Sequence, residues 1–204
     1  TDIIVSNQAG RSNILSRLEK YGVKIDSNNP KVQKILDEVK DREFSGYSYD
    51  GADASFELLA NRLLGKLPEY LKVKSYNVNI SKSEKILTKA NVVFLIDGKE
   101  ISCDCEGNGP VNALDNAIRS NFKKVEKYYN FFADLKLLDY KVRILNTGTE
   151  ATTRVLIEST DKTGISWFTV GVSPNIIEAS FKALIDSLDY KLYKEKAPAN
   201  LNEK

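Results

Sequence analysis

Apolar residues in the first third of the chain recur every three or four positions, the spacing of amphipathic helices. Three such stretches cover residues 13–21, 30–46 and 53–65. Pro30 suits the first turn of the second stretch, and Gly65 follows the last turn of the third. We therefore predict three short helices that form a small helical subdomain.

From about residue 71 onward, apolar residues alternate with polar ones, which is the period of β-strands. The predicted strands and the helix that follows them cover residues 75–80, 91–96, 101–105 and 110–129. The same order of elements returns once, at residues 138–144, 153–157, 165–170 and 176–188. Asp97 and Gly98 mark a tight turn, and such short connections make neighbouring strands antiparallel.

The two sets of elements carry matching residues at the end of the third strand. Gly171 follows Gly107 by 64 positions, and Pro174 follows Pro110 by the same number. In both places we expect a strand to end at the glycine and a helix to begin at the proline. A constant offset favours duplication of one βββα unit.

The predicted fold class is α+β, with a small helical subdomain followed by a duplicated βββα domain with antiparallel sheets. We place the helical subdomain at residues 1–68, the duplicated domain at 69–195 and a frayed tail at 196–204. Each unit leaves one sheet face poorly covered. Pairing of the two units, and of two chains into a homodimer, would bury these faces.

Composition excludes several classes of partner. The chain has 204 residues, is 42% hydrophobic and 28% charged, and carries a net charge of only +2. This weak charge argues against binding to nucleic acid or to an anionic membrane. No apolar run is long enough for a membrane span and no signal segment opens the chain, so we expect a cytoplasmic protein.

The chain contains no histidine and begins at Thr1 rather than at methionine. Histidine is the common general base and a common metal ligand near neutral pH. We therefore expect either a processed form or, as we favour, a piece of a longer protein, and the lack of histidine argues against a whole metabolic enzyme.

Cys103 and Cys105 are the only cysteines. Two thiols cannot supply the four ligands of a structural zinc site, so we predict that both are reduced and metal-free. Residues two apart on a strand are about 6–7 Å apart along it, which is too far for an unstrained disulfide.

The turn at residues 107–110 lacks the lysine and the serine or threonine of a P-loop, and the third glycine of a dinucleotide site. Backbone amides at a helix start still suit a small anion, including the carboxylate of an amino acid. Alternatively, the glycines only close the turn. Arg119, Arg143 and Arg154 are candidate anion ligands that more often lie on solvated faces.

The aromatic loop at residues 44–53 is open to two interpretations. Its tyrosines and glycines either dock on a partner domain or cover the edges of the predicted helices.

Several stretches resemble one known family. Residues 107–114, 138–144, 154–158 and 167–179 are similar to the C-terminal regulatory domain of the 2-isopropylmalate synthase and citramalate synthase family. Residues 6–15 and 51–59 resemble the linker subdomain of the citramalate branch. Asn7 and Gln8 stand where the isopropylmalate branch carries a histidine, which favours the citramalate branch.

The resemblance implies that the parent protein is an acyltransferase that joins the acetyl group of acetyl-CoA to a 2-oxo acid, pyruvate in the citramalate branch. The reaction would take place in a catalytic TIM barrel that holds a divalent metal and that this chain lacks. The resemblance therefore assigns no catalytic residue and no cofactor to this chain.

The resemblance also implies an effector site at a dimer interface, for isoleucine in the citramalate branch or leucine in the isopropylmalate branch. The larger Asn112 and Ile144 would reshape this pocket. The matching effector positions are Gly107, Gly109, Pro110, Asn112, Tyr140, Ile144 and Ala151.

Two other functional classes stay open. The chain would act as a stand-alone amino-acid sensor if no catalytic barrel precedes it. A three-stranded sheet with a helix is also compatible with an RNA-binding module, although the near-neutral charge argues against one.

Overall fold

The computed structural model describes residues 2–147 and 150–201. Within these residues the chain forms six helices and six strands. The helices are α1 (Asp2–Lys20), α2 (Pro30–Phe44), α3 (Asp53–Leu63), α4 (Pro110–Phe122), α5 (Glu126–Phe132) and α6 (Ile176–Lys194). The strands are β1 (Lys72–Lys82), β2 (Ile86–Ile96), β3 (Lys99–Gly107), β4 (Lys136–Thr147), β5 (Glu150–Thr160) and β6 (Ser166–Ser173).

The predicted fold class is confirmed. The strands form two antiparallel sheets, one in the order β1-β2-β3 and one in the order β4-β5-β6. Helix α4 packs on β2 and β3, and α6 packs on β5 and β6. We call β1–β3 with α4 the first unit and β4–β6 with α6 the second unit.

Alternating side chains bury one face of the first sheet. Ala90, Val92 and Phe94 on β2 are fully buried in the cluster that also contains the apolar face of α4. The β2–β3 turn forms as predicted, because Asp97 (φ 52°) and Gly98 (φ 73°) adopt the left-handed conformation of a two-residue hairpin turn.

A close approach between strand and helix recurs in both units. A Cβ atom on Gly107 would lie 2.4 Å from the backbone nitrogen of Ala113, and one on Gly171 would lie 2.1 Å from the carbonyl oxygen of Ala179. Only glycine permits this packing. The predicted equivalence of the prolines is wrong, however: Pro110 opens α4, whereas Pro174 precedes the N-cap of α6.

Two predicted helix boundaries are also wrong. Helix α1 starts at Asp2 instead of residue 13. Within this longer helix, Arg11 donates hydrogen bonds to Gln33 (2.9 Å) and to the Ser27 carbonyl (2.6 Å), which tie α1 to the segment that leads into α2 and to α2 itself. The predicted helix over 110–129 is two helices, α4 and α5.

The break between α4 and α5 has a packing reason. In one continuous helix, Tyr128 would point about 240° around the axis from Phe122. The break instead places the Tyr128 and Phe132 rings 6.2 and 4.2 Å from the Phe122 ring, and all three side chains are buried.

The linker helices cover the outer face of the second sheet. Val170 and Val172 on β6 are buried in a second apolar cluster with residues of α1, α2 and α3. Ser55 on α3 bridges the two parts, because its hydroxyl accepts from the Val170 amide (2.9 Å) and donates to Asp186 on α6 (2.8 Å).

The aromatic loop docks on the same sheet face. A Cβ on Gly46 would lie 3.3 Å from Val172 and 3.4 Å from Leu145, and Arg154 donates to the Gly46 carbonyl (3.2 Å). Tyr49 meanwhile is buried against Phe56 of α3. The loop therefore combines both roles that were considered for it.

The predicted fraying of the tail is wrong for its described part. Ala197 is buried, and Asn200 donates to the Glu69 carbonyl (2.7 Å) and accepts from the Asp97 amide (2.6 Å). The tail thus satisfies a turn amide of the first unit. Residues 202–204 lie outside the described residues.

None of the helices in the described ranges is long and apolar enough to cross a membrane.

Candidate functional site

The turn between β3 and α4 leaves the start of the helix open. Gly109 is the N-cap, with extended backbone (φ −173°), and no side chain of the described residues accepts a hydrogen bond from the first-turn amides. A Cβ on Gly109 would meet nothing within 4 Å. Because Pro110 has no N–H, the free first-turn donors are the amides of Val111 and Asn112.

Side chains of α4 hold this turn in shape. The Asn112 side-chain carbonyl accepts from the Asn108 amide (3.0 Å), and Asn116 donates to the Glu106 carbonyl (3.0 Å). The side-chain oxygen of Asn112 is thus committed to the turn, while its backbone amide stays available. Gly107 has a packing role, since its lack of a Cβ lets α4 lie against β3.

The equivalent turn of the second unit is closed by side chains. Asn175 accepts from the amides of Ile177 (2.8 Å) and Glu178 (3.3 Å), and Ser173 donates to the Glu178 carboxylate (2.9 Å). These groups satisfy the donors that α4 leaves free. Of the two helix starts, the one in the first unit is therefore better suited to an external anion.

The remaining predicted effector residues share one face of the second sheet. Tyr140 and Ile144 lie on β4, and Ala151 lies on β5 opposite Asn146. The Tyr140 hydroxyl forms a hydrogen bond with Ser180 of α6 (2.9 Å), whereas Ile144 is 71% exposed and Ala151 is also exposed.

The seven predicted effector residues therefore form two groups in one chain. Gly107, Gly109, Pro110 and Asn112 stand at the open turn of the first unit, while the β4 and β5 residues belong to the second unit. The hydrogen bonds of Asn112 stay within the turn, and that of Tyr140 leads to α6. The assignment of these residues to one pocket stays a prediction.

Two of the three candidate arginines have structural roles. Arg119 donates to Asp115 (3.0 Å) and to the Leu135 carbonyl (2.5 Å), which ties α4 to the segment before β4. Arg154 is bonded to the Gly46 carbonyl. Burial raises the pKa of Asp115, although Arg119 opposes this shift.

The pattern of the LeuA allosteric (dimerisation) domain family matches residues 50–192. The chain belongs to this family. It is 47% identical over 199 residues to the (R)-citramalate synthase of Geobacter sulfurreducens, covering 95% of this chain and 37% of the relative. The (R)-citramalate synthase of Aquifex aeolicus is 44% identical, again over 95% of this chain and 37% of the relative.

The 2-isopropylmalate synthase of Burkholderia cenocepacia is 30% identical to this chain, covering 92% of it and 34% of the relative. This LeuA-type chain thus spans little more than a third of the length of the curated relatives it matches.

The two units of the LeuA-type domain expose apolar residues at matching positions. Ile80 on β1 and Ile144 on β4 are 64 positions apart, and they are 58% and 71% exposed. Neighbouring Ile86, Val142 and Ile176 are also exposed. The alternation that predicted these strands placed Ile80 and Ile144 on the inner face, and only the structure shows that α4 and α6 leave them uncovered.

The described residues hold one acidic cluster of the kind that binds metal, formed by Asp134, Asp161 and Glu195. The ammonium of Lys191 already occupies its centre, at 3.1, 2.6 and 2.7 Å from the three carboxylates. Lys191 is completely buried, and this cluster fastens α6 to the segments around β4 and β5. It is an internal ion-pair cluster that sequence analysis missed.

A second missed cluster lies where the linker meets α6 of the LeuA-type domain. Arg62 on α3 contacts both Asp186 (3.3 Å) and Asp189 (3.0 Å). The Arg62 guanidinium therefore forms ion pairs with two carboxylates at once. Burial raises the pKa of Asp189 to about 7, with Arg62 opposing the shift and the charge of Asp186 adding to it. Asp186 lies off the apolar stripe of the predicted helix and Asp189 lies beyond its predicted end, so no sequence pattern indicated this cluster.

Proposed function

We propose that this chain is the linker and regulatory C-terminal part of a citramalate synthase-like acyltransferase. The parent protein would join acetyl-CoA and pyruvate to form citramalate in the cytoplasm, within branched-chain amino-acid biosynthesis. The regulatory part would bind the end product isoleucine and inhibit the enzyme. Greater identity to citramalate synthases than to 2-isopropylmalate synthases supports this branch.

The open start of α4 is the observation that carries the effector proposal. The amides of Val111 and Asn112 can donate to the effector carboxylate, and the helix dipole favours a negative charge there. Apolar residues such as Ile144 would bury the effector side chain. Full burial of such a side chain contributes about 1.5–3 kcal/mol.

A homodimer would complete this arrangement. The exposed inner-face residues Ile80 and Ile144 need cover that the described part of one chain does not give them. A second copy of the chain can supply it through an interface of about 2,000 Å² or more, as in stable homodimers. Light scattering should give the dimer mass at micromolar concentration; a stable monomer would contradict this part of the proposal.

Isoleucine should raise the melting midpoint of the chain. At a hundredfold excess over its dissociation constant, a ligand adds about 2.7 kcal/mol of apparent stability. For a chain of this size that corresponds to a shift of about 5–10 °C. Valine, which lacks one methylene, should bind about 1–3 kcal/mol more weakly. Leucine should leave the melting midpoint unchanged if the chain belongs to the citramalate branch. It should give the largest shift of the three amino acids if the chain belongs to the isopropylmalate branch.

Gly109→Val tests whether the open turn is the site. The added side chain fits in the folded chain, where a Cβ meets nothing within 4 Å, but it blocks the approach of a ligand to the helix start. The isoleucine shift should disappear while the dimer persists. Asn175→Val is the matched control, because it alters the equivalent N-cap of α6 and should leave the shift intact. An unchanged response in the Gly109 variant would refute the site.

The catalytic barrel and its divalent metal would belong to the rest of the parent protein, so this chain should show no synthase activity alone. A citramalate assay with acetyl-CoA, pyruvate and magnesium tests this expectation. An open reading frame without a barrel before Thr1 would instead support a stand-alone sensor. Retention on heparin at low salt would favour the RNA-binding alternative.

A further inference from the structure

The two cysteines form a thiol pair on an edge strand. Cys103 and Cys105 point to the same face of β3, are both half-buried, and their sulfur atoms are 3.8 Å apart. The Cys105 sulfur also lies 3.3 Å from the Ser120 hydroxyl of α4. The distance of about 6–7 Å expected from the sequence separates the backbone positions of the two residues along the strand. The two sulfur atoms are closer together because the side chains lean towards each other.

This separation matches a bridge made by one atom. Two bonds of about 2.3 Å from sulfurs to one tetrahedral atom span about 3.8 Å, and a trivalent, pyramidal atom with smaller bond angles needs only a slightly closer approach of the sulfurs. A disulfide needs about 2.05 Å, so the sulfurs would have to approach much further and distort the strand. Asp104 points to the opposite face, where it accepts from Asn91 (2.6 Å), and does not supply a third ligand.

An open groove gives access to Cys105, one of the two thiols. It has a volume of about 600 Å³, and Cys105 and Ser120 lie on its wall together with the aromatic rings of Phe122, Tyr129 and Phe132. A small reagent that carries an aryl group can therefore approach Cys105 with its ring against these aromatic side chains.

We propose that Cys103 and Cys105 form a dithiol site for trivalent arsenicals. A hydrated arsenical with two hydroxyl groups on arsenic exchanges both of them for thiols. Two S–H and two As–O bonds break, two As–S bonds form, and the protons leave with the hydroxyls as two water molecules. Arsenic stays trivalent and no group is oxidised.

The state of the thiols suits this exchange better than oxidation. Burial, and then the neighbouring Cys105 thiol, raises the pKa of Cys103, so the protonated form dominates near neutral pH. Oxidants attack thiolates, whereas the exchange uses the thiol protons to form water. Two thiols also fall short of the four ligands of zinc, in keeping with the prediction that the native pair is metal-free.

Phenylarsine oxide tests the site on the intact chain. Mass spectrometry should show one phenylarsenic group per chain with the loss of two thiol protons. Dimercaptopropanol should remove the group, whereas glutathione at the same thiol concentration should not. Cys103→Ser and Cys105→Ser should each weaken retention about 10²-fold or more, because the second bond is intramolecular.

A double variant supplies the matched control. Ser102→Cys combined with Cys103→Ser keeps two cysteines but moves one thiol to the exposed opposite face of β3. It should retain arsenical no better than the single variants. Retention equal to that of the parent in this variant, or in Cys105→Ser, would overturn the proposal. Circular dichroism establishes that each variant is folded.

Discussion

The two βββα units share a fold but begin their helices differently. In the second unit Asn175 caps α6, while in the first unit Gly109 leaves the start of α4 without a side-chain partner. A cap made by a side chain stabilises a helix locally. The first unit forgoes this stabilisation, and its free amides are what an effector carboxylate needs.

The outer faces of the two sheets differ as well. Aligned Asn77, Asn91 and Asp104 form a polar row on the first sheet, whereas Val170 and Val172 lie on the corresponding side of the second sheet beneath the linker helices. The second unit therefore connects to the linker, and the first unit keeps the open turn. The two copies of one unit thus differ in what they leave exposed: the second is covered by the linker helices, and the first leaves a helix start open.

The largest loss is expected from Lys191→Met. Its ammonium is fully buried between three carboxylates of the second unit, whereas its counterpart 64 positions earlier, Lys127 on α5, pairs with one carboxylate, Asp97 (2.6 Å), and stays partly exposed. Removing it leaves Asp161 buried with Lys194 as its remaining cationic partner (2.8 Å). The free energy of unfolding at pH 7 should fall by about 3 kcal/mol or more, as measured by urea titration. Lys194→Met should cost clearly less.

Gly107→Ala should cost about 2–3 kcal/mol, because the added Cβ meets backbone atoms of Ala113 that cannot move without shifting α4. Gly109→Ala should change stability by less than about 0.5 kcal/mol, since its Cβ enters open space. Thermal unfolding of both variants separates the packing glycine from the open one. Equal losses would contradict this distinction.

Asp189→Asn should change how stability depends on pH. Because the folded-state pKa of Asp189 is raised to about 7, folding retains a proton that the unfolded chain loses near pH 4. This group's contribution to stability therefore decreases as pH rises from about 4 to 7. Relative to the asparagine variant, the parent should lose stability across this range, by at most about 1.4 kcal/mol per pH unit. Asp50→Asn, at an exposed residue, should show no such trend.

Asn175→Ala should have the smallest effect, a loss of about 1 kcal/mol, because it removes the side-chain cap of α6. The reciprocal change Gly109→Asn should supply a cap to α4 and weaken isoleucine binding. Denaturant titration and the thermal-shift assay measure the two effects. A Gly109→Asn variant with undiminished binding would show that the α4 amides do not hold the ligand.

Local pattern was enough to predict the strands, their antiparallel pairing and the repeat. Alternation over residues 91–96 and the Asp97-Gly98 turn specify a hairpin through neighbouring residues alone. The predicted effector positions came from the family resemblance instead, which gave two of them a ligand role only. The structure adds that Gly107 is required by packing and that the Asn112 side chain closes the turn.

Sequence by itself thus determined the type and order of most helices and strands and that one unit occurs twice, because these properties depend on residues close together in the chain. Contacts between distant segments decided the rest. Phe122 and Phe132 are in contact only because the helix breaks between them. Lys191 forms ion pairs with Asp134 and Asp161, which lie outside its own helix. Ser55 donates a hydrogen bond to Asp186, 131 residues away in the chain. Burial and charge pairing at such distances depend on the packed chain, so no local period encodes them.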